Sequence, residues 1–424
     1  MFSKWLIGNN CNRMRNSYIW NSISGFLNAL QSTIILFVIQ RVATEEESGI
    51  FTIVFATANL MLAIGKYGVR YYQAADISKE FSYNDYFTHR IYTSGIMTAA
   101  TVIFCIFSLF FGGYSREKAL FCLFLCLQKV VDSVEDVIHG EYHRNDYLDL
   151  AGRSMTLRLI ITLLSFIIPF IFTKSLLYSA IASLVASALA LFVLTVLAQS
   201  RFEKPSVNNN AAKSKKLFIK CLPLFTTSFL SLFIVNAPKY AIDILMDESA
   251  QAIYGFVSLP VFVVALLSEC LFRPMITSFS QQWMDKNFTV FLKKILKVSG
   301  GIFLLTIFCT VFGVILGVPV LSIFFNTELK DYWLCVGILL FGGGFLSLTS
   351  FLNVILTVIG KTNSIAFAHL VASIAALPIS LLFVKLNGIT GAALSYLTVI
   401  ILLTVSVVAF LTYYLLKEMK RKQP

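Results

Sequence analysis

Apolar runs of about twenty residues recur from Tyr18 to Leu416, separated by short polar breaks. A helix of that length satisfies its own backbone hydrogen bonds and spans the roughly 30 Å hydrocarbon core of a bilayer. The runs predict about twelve membrane-crossing helices: Tyr18–Gln40, Gly49–Tyr72, Ile91–Phe111, Lys118–Ile138, Met155–Thr173, Leu176–Gln199, Leu217–Met246, Ala250–Phe279, Ile295–Phe325, Tyr332–Ile359, Ser364–Val384 and Gly388–Leu416. Several are longer than a bilayer needs, which predicts tilt, kinks or extension into water. Thr44 and Glu47 stand in capping-box register ahead of the second span. No small-residue cleavage site follows the first run, so Tyr18–Gln40 is expected to be retained rather than removed as a signal.

Composition points the same way. Of 424 residues, 57% are hydrophobic and 13% charged, against roughly 25% charged in soluble domains, so little chain is left for a soluble domain. Basic residues mark the cytoplasmic side. If the chain starts inside, the inward segments hold clusters such as Lys4, Arg13 and Arg15, then Lys79 and Arg90, then Arg201 to Lys220, then Lys286 to Lys297, and finally Lys417 to Lys422. The outward segments hold only Arg41, Arg116, Lys118, Lys174, Lys330 and Lys385. Both termini are therefore expected in the cytoplasm. The net charge of +12 follows from this bias and from attraction to anionic membrane lipids, and does not point to a nucleic-acid partner.

The longest polar stretch, Ser200 to Lys216, follows the sixth span. Its Pro, Asn and Lys content predicts a flexible cytoplasmic linker over 201–216, between an N-terminal six-helix bundle (1–200) and a C-terminal one (217–424) with a short basic tail. Two halves starting on the same side suggest parallel repeats about the membrane normal, echoed weakly by Ser48–Ala56 and Tyr254–Phe262. The expected fold is all-α and polytopic, with the two bundles around a central cavity.

Charges inside spans carry the functional signal. Lys66, Arg70, Lys129, Arg158, Lys239 and Arg273 face Asp132, Glu135, Asp136, Asp243 and Glu269 in the count. Exposing all of them to lipid would cost roughly 30 kcal/mol at about 2.5–3.5 kcal/mol each, so they must face protein or water. Helical spacing agrees: Lys66 and Arg70 are four apart, in line with Asn59 and Gln73. Lys129, Asp132 and Asp136 follow an i, i+3, i+7 pattern, which Asn236, Lys239 and Asp243 repeat, and Glu269 and Arg273 are four apart. The first span adds an uncharged stripe from Asn21 to Ser32. Internal ion pairing is one reading of Lys129–Asp132, Lys239–Asp243 and Glu269–Arg273. Lys66, Arg70 and Arg158 form the less balanced group, and with Lys239 higher in the membrane they suit an anion that enters from inside and leaves outside.

Other signals lead elsewhere. The eight cysteines suggest neither a disulfide frame nor a metal site. His139 and His143 lack the HExxH order and are read as a solvated loop entry rather than a metal pair. Gly342–Gly344 and Pro238 loosen their helices, while Gly388, Gly391, Ala392 and Ser395 give a small-residue face suited to close contact. No GxxxxGK[ST] phosphate cradle appears, and no external loop is large enough for a catalytic platform, so neither a cofactor nor an enzymatic activity is expected.

"NAPKYAIDILMDESAQAIYGFVSLP" (Asn236–Pro260) resembles the seventh-to-eighth-span signature of the polysaccharide transporter family, lipid-linked oligosaccharide flippases of the multidrug/oligosaccharidyl-lipid/polysaccharide superfamily. Asn16–Ile34, Glu47–Met61, Gly360–Asn363 and Gly388–Leu397 are similar to further family segments, so the resemblance runs through essentially the whole chain. It implies two six-helix bundles in a V that open alternately inward and outward in the bacterial cytoplasmic membrane. The implied cargo is an undecaprenyl-diphosphate-linked oligosaccharide, and polysaccharide polymerase machinery is a candidate partner. Cavity cations of the family would map to Lys66, Arg70, Lys239 and Arg273, and less directly to Lys129 and Arg158. Asp132, Glu135, Asp136, Asp243 and Glu269 are candidates for ion coupling or structural pairing. A drug antiporter of the same superfamily is the alternative, with an acidic cavity as its expected mark; a membrane polysaccharide polymerase is a more distant one.

Overall fold

The computed structural model describes Leu6 and residues 13–76, 80–198, 202, 204–208 and 210–420. Cys11, Lys4, Lys79, Arg201, Arg421 and Lys422 lie outside the described residues. Among the described residues every regular element is helical. The chain forms two compact units, Met1–Phe229 and Leu230–Pro424.

In the first unit, α1 (Arg13–Val42), α2 (Glu45–Lys66), α3 (Val69–Ala75), α4 (Tyr83–Phe110), α5 (Arg116–Arg144), α6 (Leu148–Thr173) and α7 (Leu176–Ala198) lead into the first half of α8 (Ala211–Leu245). The expected capping box opens α2, with the Glu47 carboxylate accepting from the Thr44 N–H at 2.8 Å. The second span does not run unbroken to Tyr72. Tyr67 and Gly68 both have positive φ, 46° and 68°, and a side chain at Gly68 would meet the Leu224 Cβ at 2.7 Å. Glycine answers both demands, so α2 ends at Lys66 and α3 starts on a new axis. The charged α5 packs against α2, α3, α4, α6 and α7 and is the central helix of the unit.

The described part of 201–216 is pinned rather than free. The Asn208 N–H donates to Thr88 Oγ1 at 2.7 Å and its side-chain amide to Asp85 at 2.9 Å. The helix begins at Ala211, and its first half belongs to the first unit because its basic and aromatic residues bond there. Lys213 meets Asp85 at 3.0 Å and Lys216 meets Glu80 at 2.7 Å. Phe225 stacks on Tyr67 at 4.4 Å, and Phe218 packs edge-on against His89 at 4.1 Å. The two units thus divide inside α8 and not within 201–216.

In the second unit, α8 is followed by α9 (Glu248–Ser258), α10 (Val261–Phe272), a 3-10 turn (Arg273–Met275) and α11 (Ile276–Met284). These breaks in the eighth expected span coincide with Pro260 and Pro274, which lack an N–H for the helical ladder. α12 (Phe288–Phe312) continues through a π-helical turn (Gly313–Gly317) into α13 (Val318–Phe325). α14 (Trp333–Val358) and α15 (Thr362–Lys420) complete the unit, α15 having non-helical backbone at Asn387 and Gly388 between its two long halves.

Ten helical stretches are long and apolar enough to cross a membrane among the described residues, and the last contains both halves of α15. α5 matches them in length but carries charges through its centre. The protein is a multi-pass membrane protein.

The Gly342–Gly344 triplet serves close packing. Added Cβ atoms at Gly342 and Gly343 would meet Tyr396 at 2.7 Å and Val261 at 2.9 Å, and one at Gly344 would strike the Thr306 side chain. Gly343→Leu is expected to lower stability by about 1–3 kcal/mol through overpacking, measured as a drop in thermal unfolding midpoint in detergent. An unchanged midpoint would show that the contact yields freely.

Candidate functional site

The candidate site is built on α5. A helical repeat of 3.6 residues brings Lys129, Asp132, Glu135, Asp136 and His139 to neighbouring positions along the helix, and all five are buried. Charges in such surroundings persist only when partnered, and most partners come from other helices. Arg158 of α6 places Nε and Nη2 on the two oxygens of Glu135, both at 2.6 Å, and Nη1 2.8 Å from Asp132. Its Nη1 also donates to Ser187 of α7 at 2.8 Å. Two parallel bonds from one guanidinium to one carboxylate are the strongest geometry such a pair adopts. Lys129 lies 2.9 Å from Asp132 and donates to the Gln31 carbonyl oxygen at 3.3 Å.

One turn along α5, Asp136 receives three cations. Arg90 of α4, fully buried, holds it at 2.8 Å and also donates to the Gly65 carbonyl. Arg70 and Lys66 stand farther off, at 3.6 Å and 4.0 Å, and their side chains are 31% and 43% exposed. These two are held loosely and reach solvent.

The charges border a cavity of about 270 Å³ inside the first unit. Lys66, Arg70, Lys129, Asp132, Asp136 and Arg158 line it, with Asn28, Gln31 and Ser32 of the uncharged α1 stripe on its wall. The cluster contains five Lys and Arg side chains against three carboxylates, which favours an anionic guest.

Residues 14–268 match the family described as polysaccharide biosynthesis protein. The chain belongs to that family. It is 25% identical over 407 residues, 95% of this chain and 98% of the other, to the Staphylococcus aureus capsular polysaccharide biosynthesis protein CapF. Its fold is similar to that of an inward-facing multidrug resistance MATE transporter of the MOP superfamily (TM-score 0.70, 14% identity, 93% of this chain and 96% of that one). It is likewise similar to the lipid II flippase MurJ in an inward closed conformation (TM-score 0.71, 16% identity, 93% and 87% coverage). Family membership thus places the chain in polysaccharide biosynthesis, and its fold is similar to those of the MATE transporter and the flippase MurJ.

Within this family member, seven of the eleven expected site residues converge: Lys66, Arg70, Lys129, Asp132, Glu135, Asp136 and Arg158. The expectation that Lys66, Arg70 and Arg158 are poorly balanced is corrected, since carboxylates of α5 sit opposite all three. Gln73 leaves the expected stripe and donates to Glu141 instead. Two members were missed. Arg90, counted with the inward loops, lies within α4 at 0% exposure, and His139, read as a loop entry, is buried 3.8 Å from Glu135. His143 is exposed, and no group suited to a metal occurs among the described residues. The hydrophobic residues following Arg90 were the available signal, because they continue the helix that contains it.

The other four belong to the second unit. Arg273 and Glu269 form an i,i+4 ion pair at 2.6 Å, largely open to solvent. Lys239 and Asp243 are half-buried on α8 with no salt bridge between them, and Lys239 has no carboxylate partner among the described residues.

Arg158→Ala would leave Glu135 and Asp132 short of their main cation and is expected to cost about 3–5 kcal/mol. The double change Arg158→Met with Glu135→Gln should recover part of that loss in thermal unfolding. Outside the membrane-spanning segments, hydrogen bonds from Lys216 and then Lys220 lower the Glu80 carboxyl to about 2 from its usual value of 4.5. A depressed carboxyl contributes fully above its unfolded value and loses that contribution as pH falls through the folded one. Hydrogen exchange at 211–220, corrected for intrinsic rates, should therefore rise as pH falls from 4.5 to 2, and Glu80→Gln should reduce the rise to the part contributed by the Asp85–Lys213 pair.

Proposed function

We propose that the protein is a flippase that moves an undecaprenyl-diphosphate-linked oligosaccharide from the inner to the outer leaflet of the bacterial cytoplasmic membrane by alternating access, for surface polysaccharide assembly. The supporting observation is the pairing of two loosely held cations, Lys66 and Arg70, with a polar cavity whose remaining cations are committed to carboxylates. A diphosphate needs fixed positive groups that can release what they already hold. Lys129, Arg158 and Arg90 keep the cavity's charge in place, while Lys66 and Arg70 engage the cargo. Family membership and the relation to a capsular polysaccharide protein fit this cargo class.

In the second unit, Lys239 and Arg273 are proposed as further cargo contacts, Lys239 being the stronger because Arg273 already holds Glu269. With the cell interior negative, outward movement of an anionic head group is favoured by about 2.3 kcal/mol per charge per 100 mV if it crosses the full field. Asp132, Glu135 and Asp136 act as counter-charges in this reading. Asp243 and Glu269 remain the candidates for ion coupling, tested by Asn and Gln substitution in flipping assays with and without a pH gradient. A multidrug antiporter of similar fold would favour an acidic, cation-binding cavity, and the cation excess described above opposes that reading.

Lys66→Ala with Arg70→Ala removes two charge-assisted contacts worth about 1.5–3 kcal/mol each. Export is expected to fall at least about tenfold, with lipid-linked glycan accumulating on the inner leaflet at normal expression, and Lys66→Arg should retain most activity. Wild-type export in the double variant would reject the assignment.

A further inference from the structure

At one end of the second unit, the last turn of α11, the turn before α12, the 359–361 turn and the final turns of α15 enclose a recess of about 460 Å³. Its wall carries Trp283, Lys286, Phe288, Lys361, Tyr414 and Glu418. The size falls within the roughly 300–1,000 Å³ of small-molecule sites. Every segment that forms it is the end of a membrane-length helix or the turn between two, so it lies at the level where headgroups begin. Trp and Tyr concentrate at that level because their rings are apolar and their edges polar.

The side chains are arranged around the recess. Trp283 packs against Phe288 and Phe291 with ring centres 5.3 Å and 5.5 Å away. Tyr414 is fixed by a 2.9 Å hydrogen bond between its hydroxyl and that of Ser364, and the Lys361 ammonium lies 5.2 Å above its ring. Two lysines against one glutamate leave the lining with one excess positive charge. The Trp283 and Phe288 rings are half-exposed and give the recess an apolar wall beside its charges.

We propose that this recess binds the headgroup of an anionic glycerophospholipid, with Lys361 and Lys286 contributing positive charge at the phosphodiester and the acyl chains starting beside the Trp283 and Phe288 rings. The shared chemistry is a phosphate anion, and the half-exposed Trp283 and Phe288 rings distinguish a lipid from free phosphate because only a lipid has chains to cover them. The site lies in a different unit from the cavity of the first and does not depend on the cargo assigned there.

The test uses the full chain in detergent, with native mass spectrometry as a function of added phosphatidylglycerol or phosphatidylcholine of matched acyl chains. Lys361→Gln with Lys286→Asn removes both charges while suiting the positive φ of residue 286. A surface lysine contributes about fivefold to binding an anionic lipid, so the pair should lower phosphatidylglycerol affinity roughly 25-fold. Lys293→Gln with Lys297→Gln, exposed on α12 and outside the recess, should leave it unchanged. Equal affinity in the recess variant and the wild type, or equal binding of the two lipids by the wild type, would overturn the proposal. Displacement of phosphatidylglycerol by inorganic phosphate would overturn the lipid assignment in favour of a simple anion site.

Discussion

The first unit depends on one constraint: an ion within a membrane-length helix bundle must have a counter-ion, and each carboxylate at the centre of α5 finds one on another helix. α5 carries three carboxylates through its middle, and α2, α3, α4 and α6 each bring a cation to them. The pairs need not stabilise the fold relative to an apolar core of the same shape. Removing one member of a pair is costly, so the helices are held in a single register. Satisfying buried charge and providing a polar cavity are therefore results of the same arrangement.

Asp136 shows how the arrangement separates structure from binding. Arg90 holds it at 2.8 Å and is anchored by Gly65, whose carbonyl also accepts from Thr93 at 2.8 Å. The carboxylate is therefore partnered before Lys66 or Arg70 is considered. Those two flank the Tyr67–Gly68 break, one ending α2 and the other in α3, so they approach from separate helix axes. A guest that draws them away leaves no bare charge in the interior.

Much of this was readable from the chain. Apolar run length marks most of the spans, and the cost of charge in lipid selects Lys129, Asp132, Glu135, Asp136 and Arg158. Pairing across helices was not readable, because periodicity relates residues on one helix and carries no information about which helix stands opposite. For that reason Arg158 looked unbalanced although Glu135 meets it with two bonds. Arg90 was hidden by the rule that loops hold cations: a lone arginine at the start of an apolar run reads equally as loop or helix. Gly68 lay inside an apolar stretch, where composition favoured continuity and local backbone geometry prevailed. The polar composition of 201–216 suggested freedom, yet Asn208, Lys213 and Lys216 bond to α4 and the turn before it.

The three glycines of α14 bear on how the second unit can deform. Successive residues of a helix point about 100° apart, and this triplet turns bare backbone toward Tyr396 of α15, Val261 of α10 and Thr306 of α12 in sequence. α14 is thus an axle gripped on three sides, unable to spin or to slide by one residue without driving a side chain into a neighbour. Bending within this unit is then favoured where its helical ladder is already interrupted, at Pro260, at Pro274, along the π turn at Gly313–Gly317 and at the Asn387–Gly388 kink of α15.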